Sequence, residues 1–209
     1  MRYLWLLLPT AMALLRLTTG KYVFSALVSL SCALIVIAGG GHEPGRAALM
    51  AIGLAVSVAG DYLLVHQHGH SQRFIAGVAL FGAAHLIFMV YALCAFRFRP
   101  LALGFIAVLA ALYAAYLSRS VLPTQAAPMK IALSGYAVVS LLGLFFALCA
   151  NEATAAQRLL YILGIACIVF SDTMIAEADF VRHRWAAKYI LPTYYLCHIL
   201  LAASRLAAR

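Results

Sequence analysis

The chain has 209 residues, 66% of them hydrophobic and 10% charged, with a mean hydropathy of +1.00. A soluble domain is nearer ~45–50% apolar and ~25% charged, so this chain has too few polar side chains for a water-facing surface and lipid must be its solvent. The net charge of +9 does not point to nucleic acid, because Lys and Arg stand singly or in twos and threes between apolar runs, as membrane-flanking cations do.

Apolar runs fall at 3–17, 22–38, 47–65, 74–96, 101–117, 130–149, 159–178 and 187–204. At ~20 residues per span, eight or nine spans with short loops fill the chain and leave no room for a second, soluble domain. The first run has the Arg and short apolar stretch of a signal peptide. No small-x-small cleavage site follows and the next run begins almost at once, so it is read as a span. The cluster Gly39-Gly40-Gly41-His42-Glu43-Pro44-Gly45 turns the chain into the third run. His66, His68 and His70 alternate after it, and an exposed polar loop explains them better than zinc, which needs a further ligand and a supporting shell. Arg97 to Pro100 is a charged stop, and Leu122 to Pro128 holds two prolines. Open sheet edges are excluded from lipid and the ~10-residue alternation of a barrel is missing, so the expected fold is all-α, polytopic, with eight transmembrane helices in one domain over 1–209.

Cys32, Cys94, Cys149, Cys167 and Cys197 lie within apolar runs, form no C-x-x-C, and read as inert buried thiols. Tyr3, Trp5 and Trp185 read as interfacial anchors. Orientation is not legible. The N-terminal face, side A, collects Arg2, Arg46, Arg97, Arg99, Arg158, Arg205 and Arg209. The opposite face, side B, collects Arg16, Lys21, Arg73, Arg119, Lys130, Arg182, Arg184 and Lys188, which leaves no asymmetry for the positive-inside rule.

Ionisable side chains inside spans cost at least ~2.5–3.5 kcal/mol each on insertion scales and need a reason. Four stand out: Asp61, His85, Asp172 and His198, with Lys21 at the start of the second run. At ~1.5 Å per residue, both aspartates lie ~6–9 Å inside side B and both histidines ~17 Å down, near the midplane. All five can line one cavity opening on side B. Ser57 shares a helix face with Asp61 at i−4, Gly60 allows close approach, Ser171 precedes Asp172, and Tyr194 and Tyr195 lie about a turn above His198. Each half presents an Asp and then a His, which suggests two parallel four-helix halves. The plainer reading is that these groups only hydrogen-bond neighbouring helices. Glu177 and Asp179 read as a solvated helix end.

The stretches Ser57-Val58-Ala59-Gly60-Asp61-Tyr62-Leu63-Leu64, Phe74-Ile75-Ala76-Gly77, Phe81 to His85, Phe170-Ser171-Asp172 and Tyr194-Tyr195 resemble the core motifs of the YhhN family of membrane proteins. The resemblance extends over most of the chain. It departs at Lys21-Tyr22, where the family has Lys-Pro, and at His198, where the family has Gln. It implies an eight-helix membrane fold in a bacterial inner (cell) membrane and lysoplasmalogenase activity, hydrolysis of the vinyl ether of a lysoplasmalogen to a fatty aldehyde and a glycerophospho-alcohol.

The residues suit that reaction. Protonating the β-carbon of a vinyl ether gives an oxocarbenium ion that water captures, the two-carboxylate logic of glycoside hydrolysis. Two aspartates in one low-dielectric cavity would split their protonation states. Asp61 and Asp172 are therefore the expected catalytic pair. Ser57, His85, Ser171, Tyr194, Tyr195 and His198 would support them, and Lys21 with the side-B arginines would hold a lipid phosphate. This scheme needs no cofactor and no metal. Its partners are membrane lipids and a lysophospholipid substrate, with no nucleic acid. A related ether or lysolipid is an equal candidate substrate. Two rivals stand: a proton-coupled transporter, to which only Pro192 lends a broken helix, and a zinc hydrolase built on His85, His198, Asp61 and Asp172.

Overall fold

Hydrocarbon offers no partner to a free amide, so apolar runs of this length close their hydrogen bonds internally, as helices. The computed structural model describes residues 2–39, 43–66 and 71–208, the side chain of Ser71 excepted; His68 and His70 lie outside them. Among the described residues there are eight α-helices and no strand: α1 (Leu7–Thr19), α2 (Tyr22–Gly39), α3 (Pro44–Val65), α4 (Ser71–Leu93), α5 (Pro100–Tyr116), α6 (Ala127–Cys149), α7 (Ala155–Asp179) and α8 (Ala187–Leu206). The six from α2 to α7 are long and apolar enough to cross a membrane. α1 is 13 residues long and is preceded by a 3-10 turn over Arg2–Leu6. α8 is 20 residues long, carries Pro192 inside it, and is more polar than the six.

The breaks follow the turn chemistry of the sequence. Gly20 takes a left-handed φ of 72° and its N–H caps Arg16, which makes the tight turn into α2. Pro44 and Pro100 open α3 and α5 at positions where no amide is needed. Thr154 caps α7 by accepting from Gln157 N, and Gln157 reaches back to Ala153 N at 3.1 Å, a near capping box. α5 runs on into a π turn over Leu117–Val121 before Pro123 stops it.

α7 packs on α8, α3 on both α2 and α4, and α6 on α4. α5 stands at the margin, with only Ala102 and Ile106 buried. One isolated antiparallel bridge, Phe96 with Ala150, ties the α4–α5 and α6–α7 loops together on side A.

Three expectations are corrected. Arg46 and Arg205 do not face headgroups but are buried, at 9% and 1% exposure. Arg46 pairs with Glu43 and Glu152, and Arg205 pairs with Glu43 at 2.9 Å. Both guanidinium groups also lie over the Tyr91 ring. The acids of the two loops on side A draw these cations inward, because an unpaired buried charge is far costlier than a paired one. Cys94 is exposed, since the end of α4 turns it outward, whereas Cys32, Cys149 and Cys197 are buried. Glu177 is mostly covered and bonds His183 at 2.7 Å. Tyr3, Trp5 and Trp185 are exposed, as anchors must be.

Candidate active site

Asp172 stands on α7 where α4 and α6 converge. Its Oδ2 accepts a hydrogen bond from Tyr136 Oη at 2.8 Å and lies 3.0 Å from His85 Nε2. The His85 and Tyr136 rings meet edge-on with centroids 5.4 Å apart, so each fixes the other's angle. Oδ1 has no hydrogen-bond partner among the described residues, and the side chain keeps 12% of its exposure. Asp172 lines a pocket walled by Leu64, Phe74, Phe81, Tyr113, Leu117 and Phe180 and their neighbours. Most of these wall residues stand at the side-B ends of their helices, so the pocket opens there. Its water-accessible interior is about 50 Å³; at ~10–15 Å³ per water, that is room for about four waters or a stretch of a single alkyl chain.

Asp61 on α3 is held in a second cluster. Its Oδ2 accepts from Tyr194 Oη at 3.0 Å and from Ser25 Oγ at 3.4 Å. Ser25 Oγ in turn lies 2.6 Å from Tyr195 Oη. Two tyrosines adjacent on α8 thus reach the same serine–aspartate pair. His198 is buried beneath, with Nδ1 2.9 Å from Ser29 Oγ and its ring 4.4 Å from that of Tyr194. The Arg16 guanidinium is near enough for its charge to act on both Asp61 and Tyr195.

The two clusters meet at Phe81, which walls the pocket and packs edge-on against Tyr194 at 5.8 Å. Gly60, beside Asp61, makes room for it, because a Cβ there would stand 3.0 Å from the Phe81 ring.

The structure therefore gathers the expected residues into two adjoining sites rather than one cavity. Asp172 alone of the expected residues lines the pocket, with His85 directly behind it. Asp61, Tyr194, Tyr195 and His198 lie on the far side of Phe81, because the polar faces of α3 and α8 turn toward α2. Ser57 Oγ bonds back to Gly53 O at 3.0 Å in its own helix. Ser171 Oγ donates to Ile190 O at 3.0 Å, two residues before Pro192, and so ties α7 to α8. Lys21 is exposed at the start of α2 and stands apart from the pocket. The cation beside Asp61 is Arg16.

Three partners were missed. Tyr136 has Ser140 at i+4 in the same run, a hydroxyl pair that was passed over. Ser25 and Ser29 carried a usable signal, two hydroxyls at i and i+4 within a span, the same rule that linked Ser57 to Asp61. Among the described residues no three His, Cys, Asp or Glu side chains come together as metal ligands would. His85, His198, Asp61 and Asp172 are split between the two clusters.

The arrangement can hold a carboxyl by one oxygen and present the other to an apolar slot. That is the geometry of a proton donor or acceptor for a poorly polar substrate. A family model described as the YhhN family matches residues 20–205. No curated protein and no solved structure matches the chain.

Proposed function

Because the chain belongs to the YhhN family, we propose that it is a membrane hydrolase cleaving the vinyl ether bond of a lysoplasmalogen or a related single-chain ether lysolipid. The observation that carries the reading is Asp172, whose Oδ2 takes Tyr136 and His85 while the residue lines the apolar pocket.

In this reading the alkenyl chain enters from side B with its vinyl ether at Asp172. The protonated carboxyl gives its proton from Oδ1 to the β-carbon, and the C=C electron pair forms the new C–H bond. The α-carbon and ether oxygen share the positive charge as an oxocarbenium ion. Tyr136 and His85 hold the carboxylate left behind, as charge-assisted donors do. Water adds to the α-carbon and gives its proton to the Asp172 carboxylate, which restores the acid. The hemiacetal then collapses to the aldehyde and the glycerophospho-alcohol. Asp61, behind Phe81, is the second carboxylate of the reading and steadies the cation through its charge, without contact. The narrow slot fits one chain, which favours a lysolipid over a two-chain lipid. The protein works as a multi-pass protein of the bacterial inner membrane, with α1 and α8 completing eight spans.

The test is aldehyde release from a lysoplasmalogen by the detergent-purified protein beside Asp172→Asn and Asp61→Asn, each with and without chelator. Aldehyde from the wild type that is lost in both variants and indifferent to chelator supports the reading. Loss on chelation sinks pure acid–base hydrolysis. No aldehyde from folded wild type leaves family and fold standing and removes the reaction.

A further inference from the structure

On side A, away from the site just described, the α4–α5 loop and the start of α5 border, with the end of α6 and the first turn of α7, an open cleft of about 610 Å³ that carries three arginines, Arg97, Arg99 and Arg158. The α4–α5 and α6–α7 loops are fastened to each other: Arg97 N donates to Cys149 O at 2.9 Å and Asn151 N to Ala95 O at 2.7 Å. The arginines are therefore set by two paired backbones rather than by free loop ends.

Their positions are electrostatically unfavourable as they stand. Arg99 is the N-cap of α5 and Arg158 lies in the first turn of α7. Both place a cation at the positive end of a helix dipole, where an anion belongs. Arg99 and Arg158 also lie near enough for their charges to act on each other. The Nε atoms of both are shielded from solvent and have no hydrogen-bond partner among the described residues. Among these residues Arg158 bonds a backbone carbonyl, Leu148 O at 3.3 Å.

No side chain is left to neutralise them. The chain has six acidic residues. Glu43 and Glu152 are committed to Arg46 and Arg205. Asp61 and Asp172 are in the two clusters above, and Glu177 and Asp179 stand at the opposite end of α7.

The surroundings point to the class of anion. The cleft is also lined by Phe98, Leu101 and Phe105. From it an apolar stripe runs down the outer face of α5: Leu101, Phe105, Val108 and Leu112 are 89%, 56%, 63% and 65% exposed. A free phosphate would leave that stripe unused, whereas an amphiphile would use both features.

We propose that this cleft binds an anionic phospholipid, its phosphate between Arg99 and Arg158 and an acyl chain along α5. The lipid pins a helix that has little packing of its own and that carries Tyr113 into the wall of the Asp172 pocket. The inference does not rest on the hydrolase reading, since binding is measured directly.

The test is native mass spectrometry of the detergent-purified chain with phosphatidylglycerol, phosphatidylcholine of the same acyl chains, or inorganic phosphate, beside thermal unfolding in each. The wild type should retain one phosphatidylglycerol in preference to phosphatidylcholine and unfold at a higher temperature with it. Arg99→Gln and Arg158→Gln should each weaken retention by about fivefold, the worth of one cation at an anionic surface. Arg2→Gln removes a cation of the same face outside the cleft and should change nothing. Should a Gln variant fail to fold, Arg99→Lys keeps the charge without the planar fork and should still lower the preference. Equal retention of both lipids by the wild type, or equal loss in Arg2→Gln, overturns the site. Displacement of the lipid by inorganic phosphate, with equal stabilisation, overturns the lipid and assigns a free phosphate instead.

Discussion

Tyr136→Phe isolates the bond on which the proposed chemistry leans. The substitution removes one oxygen, which donates to Asp172 Oδ2 at 2.8 Å. It keeps the ring that walls the pocket and meets His85 edge-on. The pocket shape, and hence the fit of the chain, should be preserved, and Oδ2 retains His85 Nε2 at 3.0 Å. A hydrogen bond to a charged group is worth ~1.5–3 kcal/mol. In the proposed step the charge on Oδ2 develops as the proton leaves for the substrate, so this contribution belongs to the transition state rather than to the bound ground state. At ~1.4 kcal/mol per tenfold, kcat should fall roughly tenfold to a hundredfold, with KM changed by less than about twofold. The assay is aldehyde release coupled to an NADH-dependent aldehyde reductase, with thermal unfolding measured on the same preparations. An unchanged kcat with a lowered unfolding temperature would show that the bond exists and that the reaction does not use it. A raised KM with unchanged kcat would make Tyr136 part of the binding wall only. Either result refutes Asp172 as the proton donor held by Tyr136.

Gly60→Ala places a Cβ 3.0 Å from the Phe81 ring and should push it toward the pocket, raising KM for a long-chain substrate more than for a short one; KM measured across a chain-length series checks this. Arg16→Gln should raise KM or lower kcat where Lys21→Gln does little, since Arg16 is the cation beside Asp61; parallel kinetics of the two variants decide it. Arg46→Ala strands Glu152, whose side chain is fully covered, and should cost ~3–5 kcal/mol, read as a large fall in unfolding temperature in detergent. Glu43 gives a pH test. Burial pushes its carboxyl up, but the Arg205 and Arg46 guanidinium groups outweigh that and hold it below the usual carboxylate range. A depressed folded value adds stability that is present above the unfolded value, ~4.3, and is lost as pH falls through the folded one. The wild type should therefore lose unfolding temperature below about pH 4, and Glu43→Gln should lose less.

The helices were legible to within a few residues because lipid leaves an apolar run only one way to satisfy its backbone. The breaks were legible where a particular residue makes them, as at Pro44 and Pro100, whereas the Thr154 cap went unread. Depth counted from the rise per residue set His85 well below Asp172, and the 3.0 Å contact between them was not legible from it. What depth does not contain is azimuth. Which faces of α3 and α4 turn to each other is set by close packing at Gly60 against Phe81 and at Gly77 against Leu64, and that fixes what each helix has left to show to α2 and α6. Hence the single cavity became two clusters divided by Phe81, and Tyr136 passed unseen. The same blindness put Arg46 and Arg205 in the headgroups, because their acidic partner Glu43 sat in a turn cluster with nothing to show which way it faced.

The separation in sequence of the two carboxylates from their partners sets an order of events in synthesis. When Asp172 leaves the ribosome, His85 and Tyr136 are already in the membrane, 87 and 36 residues behind it. Asp61 is not so placed. Ser25 precedes it by 36 residues, but Tyr194 follows by 133. At ~5–20 residues per second that is a delay of about 7–27 seconds. Throughout it the nascent protein holds a half-partnered aspartate in the bilayer, eased by a depth of only ~6–9 Å from the surface. Every chain interrupted before α8 carries that same aspartate without Tyr194 to partner it.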